Sequence, residues 1–152
     1  VTAEVLGELK AALSFKDGNP VEPVWLVRMY AAWALMNLRT PEAALTLAET
    51  ALNDPDGRVR QAAFLALAET ASYSADTALR QALGDKRADV RMYAAYVLAR
   101  HGDASGVDRI IAEAKSPDER IRHTAVWLLG QLGRRAPPEA SDALASRVVD
   151  AK

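Results

Sequence analysis

Cysteine is missing from the whole 152-residue chain, which removes disulfides, thiolate metal sites and cysteine nucleophiles together and leaves the redox compartment undecided. Aromatic side chains are few: three Trp, four Tyr and two Phe. Any place where several of them gather is therefore worth following. Charge of neither sign prevails, since 19 Lys and Arg against 20 Asp and Glu leave a net charge of −1. No overall field draws the chain toward nucleic acid or an anionic membrane, although a local basic patch stays open. No apolar run approaches membrane-spanning length, and no segment with a basic start and an apolar middle stands at the front as a signal would. The chain opens on Val1 rather than Met, so a processed or omitted upstream segment stays open and localisation with it. With half its residues hydrophobic and 26% charged, the chain is too apolar to be disordered and long enough for one ordinary domain.

What the sequence does have is repetition. Val90-Arg91-Met92-Tyr93-Ala94-Ala95-Tyr96-Val97-Leu98 recurs as Val27-Arg28-Met29-Tyr30-Ala31-Ala32-Trp33-Ala34-Leu35, Val59-Arg60-Gln61-Ala62-Ala63-Phe64-Leu65-Ala66-Leu67 and Ile121-Arg122-His123-Thr124-Ala125-Val126-Trp127-Leu128-Leu129. The Val/Ile positions are 32, 31 and 31 residues apart. A fixed period in this range marks a stack of units that bury their apolar faces against their neighbours. A second agreement sits upstream of each motif. Seven residues before the Val/Ile stand Leu52, Leu83 and Ala114, and eleven before stand Ala48, Leu79 and Ile110. Each unit therefore holds two helices in register.

In chain order, the spacing predicts an opening helix over Thr2–Phe15, ended by Lys16-Asp17-Gly18-Asn19-Pro20, and a second helix running to about Leu38. Thr40-Pro41-Glu42 reads as a cap, a first-turn proline and an acid suited to a helix start. Asn53-Asp54-Pro55-Asp56-Gly57 is the next break, and Ser74–Leu83 the next first helix. His101-Gly102-Asp103 ends the helix of the central motif, the glycine taking the left-handed conformation. Ser105–Ala114 follows, then a helix from Ser116-Pro117-Asp118 to Leu132 that stops at Gly133. Pro137-Pro138-Glu139 opens a last helix with Ala140, Leu144 and Val148 inward. The expectation is nine helices in one domain spanning residues 1–152, with units at about 1–39, 40–72, 73–103 and 104–135 and a closing helix at 137–151.

The turn Asp and Pro, the Val-Arg pair, the Ala four residues on and the Leu eight on resemble the HEAT-like repeats of the phycobilisome bilin lyase type. The residues that carry this are Asp54-Pro55-Asp56 with Val59-Arg60-Ala63-Leu67, Asp85 with Val90-Arg91-Ala94-Leu98, and Ser116-Pro117-Asp118 with Ile121-Arg122-Ala125-Leu129. The first unit departs, with Val24 and Trp25 where the acidic turn is expected. The resemblance implies an all-α fold, a right-handed α-solenoid whose second helices line a concave face used for partners. It also implies that the arginine column, Arg28, Arg60, Arg91 and Arg122, pairs with turn acids of adjacent units: Asp54, Asp56, Asp85, Asp89 and Asp118. The likeness is one of fold, because such repeats serve in lyase subunits, scaffolds and nucleic-acid binders alike. The 34-residue tetratricopeptide repeat competes, and the 31-residue step argues against it.

At about 100° per residue, the Val position, the Ala four on and the residues seven and eight on share one face, the buried seam. The positions two, six and nine after the Val point away from it, where water would call for polar residues. They hold instead Met29, Trp33 and Met36; Gln61, Leu65 and Ala68; Met92, Tyr96 and Ala99; and His123, Trp127 and Gly130, with Tyr30 and Tyr93 flanking them. Exposed apolar patches mark interaction sites, and Trp, Tyr and Met anchor interfaces. The anchors expected for a partner protein or peptide are Met29, Tyr30, Trp33, Met92, Tyr93, Tyr96, His123 and Trp127. The competing reading packs the same residues helix against helix.

Chemistry is thin. Two histidines on different helices, with no thiolate and no following Glu, do not make a zinc or diiron set. No phosphate loop or nucleophile elbow occurs. The expectation is a binding module that is not an enzyme, with no cofactor and no metal. A structural segment of a longer array or a self-associating homodimer is the second reading. A nucleic-acid-binding module of this repeat type or an accessory subunit of a bilin lyase is the third, the former lacking the basic lining that duplex DNA requires.

Overall fold

The computed structural model of the chain describes residues 2–16 and 23–135. Among these it holds eight helices and no strand: α1 (Thr2–Leu13), α2 (Val24–Met36), α3 (Pro41–Asn53), α4 (Gly57–Ala68), α5 (Asp76–Ala82), α6 (Ala88–Arg100), α7 (Ala104–Glu113) and α8 (Glu119–Arg135). This is the all-α solenoid class that the period predicts. The closing helix expected from Pro138 lies outside the described residues. Backbone proximity divides the chain into two compact units, residues 1–78 and 79–152.

In the first unit α2 packs against α1, α3 and α4, and α3 against α4. The core between them is built from Ala31, Ala32 and Leu35 of α2, Ala44, Leu47, Ala48 and Ala51 of α3, and Val59, Ala63 and Leu67 of α4, all buried; of the α3 columns upstream of the motif, Ala48 is buried but Leu52 only half-buried, and Leu45 is 51% exposed. Alanine at so many of these positions lets helix axes approach closely, and the leucines fill what remains. The second unit sets α7 and α8 against α6. Gly106 marks a close crossing of α7 on α6, since a Cβ there would stand 2.3 Å from the Ala95 carbonyl oxygen and 2.7 Å from the Ala99 nitrogen.

Short polar side chains start the helices. The Thr40 hydroxyl accepts from Ala43 N at 3.2 Å with Pro41 at the first helical position. Asp56 accepts from Arg58 N at 2.9 Å, Asp103 from Ser105 N at 3.0 Å and Asp118 from Arg120 N at 2.9 Å, each satisfying a backbone donor that the helix leaves orphaned. Gly102 ends α6 at φ +86, the left-handed turn expected of it. Several boundaries differ from expectation, α1 ending at Leu13 and α2 at Met36, each about two residues early. α5 is seven residues rather than ten, and α8 does not stop at Gly133 but continues to Arg135. A glycine inside a helix costs only about 1 kcal/mol against alanine, too little to end a helix that continues beyond it.

The arginine column does something more regular than the expected ladder. Arg60 Nη1 donates to the carbonyls of Asp54 and Pro55, Arg91 Nη1 to those of Asp85 and Lys86, and Arg122 Nη1 to those of Ser116 and Pro117, all at 2.8 to 3.1 Å. In every case the acceptors are six and five residues back, in the turn before the arginine's own helix. Each guanidinium thus ties a second helix to the turn that precedes it. Carboxylates come from further along the chain. Arg28 grips Asp54 through Nε at 2.8 Å and Nη2 at 3.0 Å, and Arg91 grips Glu113 at 2.7 and 3.3 Å. Of the acids expected to pair with the column, Asp54 does so with Arg28. Asp56 and Asp85 are held instead by Arg58 and Arg87 of their own turns. Asp118 lies beside Arg120, while Arg122 turns to carbonyls.

Candidate interaction surface

The second helices carry the expected anchors, and the structure separates those anchors into two groups. On α2, Tyr30 is 62% exposed, with Met29 and Trp33 half-buried beside it at helical spacing. α2 and α4 pack side by side in the first unit, and Leu65 and Gln61 of α4 are half-buried and exposed respectively. Tyr30 therefore stands in water on α2, with Met29 and Trp33 partly covered. At the N-terminal end of α2 the Trp25 ring is covered by the Arg58 guanidinium, 3.7 Å above the ring centroid, in a cation–π stack. The departure of the first repeat from the acidic-turn pattern places an aromatic where Arg58 of α4 can lie on it.

On α6 the expectation of a solvent-facing floor fails. Met92, Tyr93 and Tyr96 are buried, Tyr96 to 2% exposure, and the run from Met92 to Leu98 is buried without a break. Within its unit this helix packs against both α7 and α8, so residues that point away from one seam enter another. Tyr93 and Tyr96 are core rather than contact surface, and Met92 is almost wholly covered.

On α8 the surface returns. Trp127 is 44% exposed, and His123 is exposed with its Nε2 3.8 Å from a Glu119 oxygen. Next to them, between the starts of α6 and α8, lies a cleft of ≈ 410 Å³ lined by Arg87, Ala88, Asp89, Met92, Arg120, Ile121 and Thr124. Met92, although buried, forms part of its wall. Sequence reading missed Ile121, Thr124, Arg87 and Arg120 here. The available signal was that successive second helices begin one repeat apart and so bring their first turns together. The first unit has its own cleft of ≈ 380 Å³ where α1 and α3 end, polar and lined by Lys10, Leu13, Ser14, Thr46, Glu49, Thr50, Asn53, Asp54 and Pro55.

Electrostatics on these faces is largely neutralised in place. The Arg58 side chain bonds Asp56 and holds its carboxyl down at about 2, and Arg87 does the same to Asp85. Arg91, with Arg109 behind it, lowers the Glu113 carboxyl. Hydrogen bonds from Ser105 and Arg80 lower Asp103. None of these groups is brought toward neutral pH, where proton transfer would need it. Among the described residues no group of three or more His, Asp or Glu is placed to hold a metal ion, and no helix is long and apolar enough to cross a membrane.

The family described as HEAT repeats matches residues 2–68 and 75–152. No curated protein matches the chain.

Proposed function

The chain belongs to the HEAT-repeat family, and from that membership we propose that it is a non-catalytic interaction module that takes a partner protein or peptide on the aromatic faces of its second helices. HEAT repeats are commonly protein-interaction scaffolds, and the family is typically non-enzymatic. The observation that carries the finer reading is the exposure of Tyr30 and Trp127, at 62% and 44%, on helices whose equivalent in α6 has its aromatics buried. Large aromatics left about half or more in water contribute little to the core, and they supply the rigid, amphipathic area that interface hot spots use.

Each unit offers its own patch. In the first, Tyr30 is the anchor with Met29 and Trp33 beside it. In the second, Trp127 and His123 flank the cleft walled by Met92, Ile121 and Thr124, which has room for one apolar side chain of a bound segment. Tyr93 and Tyr96 are buried and stay out of contact with a partner. The finer likeness, to repeats of the bilin lyase type, rests on the Val-Arg, Ala and Leu spacing behind the acidic turns and belongs to this proposal.

A random peptide library displayed on phage and selected against the full chain tests it. Enriched peptides are expected to be rich in apolar residues and to lose about 30-fold in affinity to Tyr30→Ser or Trp127→Ser, the fold-change of a 2 kcal/mol hot spot, while both variants keep the parental melting temperature. Peptides that bind both variants as tightly as the parent, or a selection that enriches nothing, sink the reading.

A further inference from the structure

Two positions of the repeat are filled in the first unit and open in the second. Trp25 stands two residues before Val27, and Arg58 one before Val59; the equivalents on α6 and α8 are Ala88, two before Val90, and Arg120, one before Ile121. α2 packs on α4 as α6 packs on α8, each pair within its own unit. In the first pair the Arg58 guanidinium lies 3.7 Å above the Trp25 ring. From there it grips Asp56 through Nη2 at 2.7 Å and Nε at 3.0 Å. In the second pair alanine supplies no ring. Arg120 is left 93% exposed, its Nε 4.0 Å from Asp118, the equivalent of Asp56. The cleft of ≈ 410 Å³ opens at this place, with Ala88 and Arg120 both in its lining.

The rest of the lining suits a ring. Ala88, Met92 and Ile121 are apolar, and a thioether is a favourable neighbour for an aromatic edge. Of the two arginines, Arg87 has its fork on Asp85, both bonds at 3.0 Å, and Asp89 is already engaged. Arg120 is therefore the cation with charge to offer. The face of an aromatic ring is negative and complements an exposed guanidinium. A carboxylate in its place would meet Asp89 and compete with Asp118, while an aliphatic side chain would fill the space and leave the charge unanswered.

We propose that this cleft takes an aromatic side chain, tryptophan foremost, from a partner segment, with Arg120 folding over the ring as Arg58 folds over Trp25 and closing on Asp118. The ring that the first unit carries in its own chain is supplied to the second from outside. This rests on the reading of the chain as an interaction module and names the residue class that its second patch selects.

Methyl NMR of the full chain, labelled at its three methionines and titrated with N-acetyl-tryptophanamide, tests the cleft by itself. Met92 should show a saturable ring-current shift, and N-acetyl-leucinamide should bind there several-fold more weakly. Arg120→Ala should weaken the tryptophanamide about threefold, as loss of an exposed cation–π contact does. Ala88→Trp should fill the cleft from within, shifting Met92 without ligand and abolishing the response, at a melting temperature no lower than the parent's. Equal binding of the two amides overturns the proposal, as does an Arg120→Ala variant that binds as tightly as the parent. So does an Ala88→Trp variant in which Met92 still responds, or a shift confined to Met29 and Met36. Peptides captured through Tyr30 and Trp127 but indifferent to Ala88→Trp would remove this occupant and leave the interaction module standing.

Discussion

Gly106 has no room for a side chain, and the consequence can be measured at that one residue. Gly106→Ala should lose about 1–3 kcal/mol by overpacking against the α6 backbone, although alanine is the better helix former. Gly7→Ala in α1, where a Cβ meets nothing within 4 Å, should gain about 0.5–1 kcal/mol; urea melts of the two variants moving in the same direction would contradict the crossing. The aromatics divide in the same way. Tyr96→Ala should cost about 3–5 kcal/mol as a buried aromatic truncation, and Tyr30→Ala less than about 0.5 kcal/mol as a surface change. Sequence placed both tyrosines on one solvent-facing floor, Tyr96 at a position that points away from the seam and Tyr30 flanking such positions. Which of them meets water depends on how many helices surround its own, and a single motif does not carry that information.

Helices and turns were read more closely than their side-chain fates. Thr40-Pro41, Asp56, Asp103 and Gly102 stand at the limits where local chemistry puts them, since a cap or a left-handed glycine is decided within four or five residues. The end of α8 was misjudged because glycine was taken as a stop, whereas only a glycine at positive φ is one; Gly102 qualifies and Gly133 lies inside a helix. The pairing of elements by charge was half legible. Asp54 stands among the turn acids expected for the arginine column, whereas Glu113, buried between Arg91 at 2.7 Å and Arg109 at 2.7 Å, does not. Removing one member of a buried pair strands the other, so Glu113→Ala should cost about 3 kcal/mol, read as a fall in melting temperature. A loss no larger than that of Asp108→Ala on the same helix would mean that the pair carries no stability.

For the molecule as a whole, the turn carboxylates make stability a function of pH. Asp56 and Asp85 are held at about 2 in the folded chain against an ordinary 3.8, by hydrogen bonds from Arg58 and Arg87, and Asp103 and Glu113 are lowered as well. A lowered folded pKa means that the unfolded chain takes up protons first as acid is added. The contribution is thus full above the ordinary carboxylate pKa and is lost as pH falls from about 4 toward 2. The melting temperature should be level above about pH 5 and fall steadily below pH 4. Asp56→Asn with Asp85→Asn should flatten that fall, more at low salt than at high, because the arginine partners are partly exposed. A parental curve that stays level to pH 2 would show that the turns are not coupled to folding. The period of 31 told from sequence that neighbouring units cover one another. The division into two compact units it did not tell, because every repeat is written in nearly the same residues.

The guanidinium that each of Arg60, Arg91 and Arg122 lays on the two carbonyls before its own helix closes a loop of only six residues. Closures that short take tens of nanoseconds, far less than any assembly of distant helices. Each hairpin corner can therefore be set while the rest of the chain is still searching. Replacing Arg122, which holds its two carbonyls without the carboxylate that Arg91 also grips, by lysine, which lacks the planar fork, should consequently slow refolding and leave the unfolding rate nearly untouched. Stopped-flow traces showing the reverse would place the clamp among the last contacts to form.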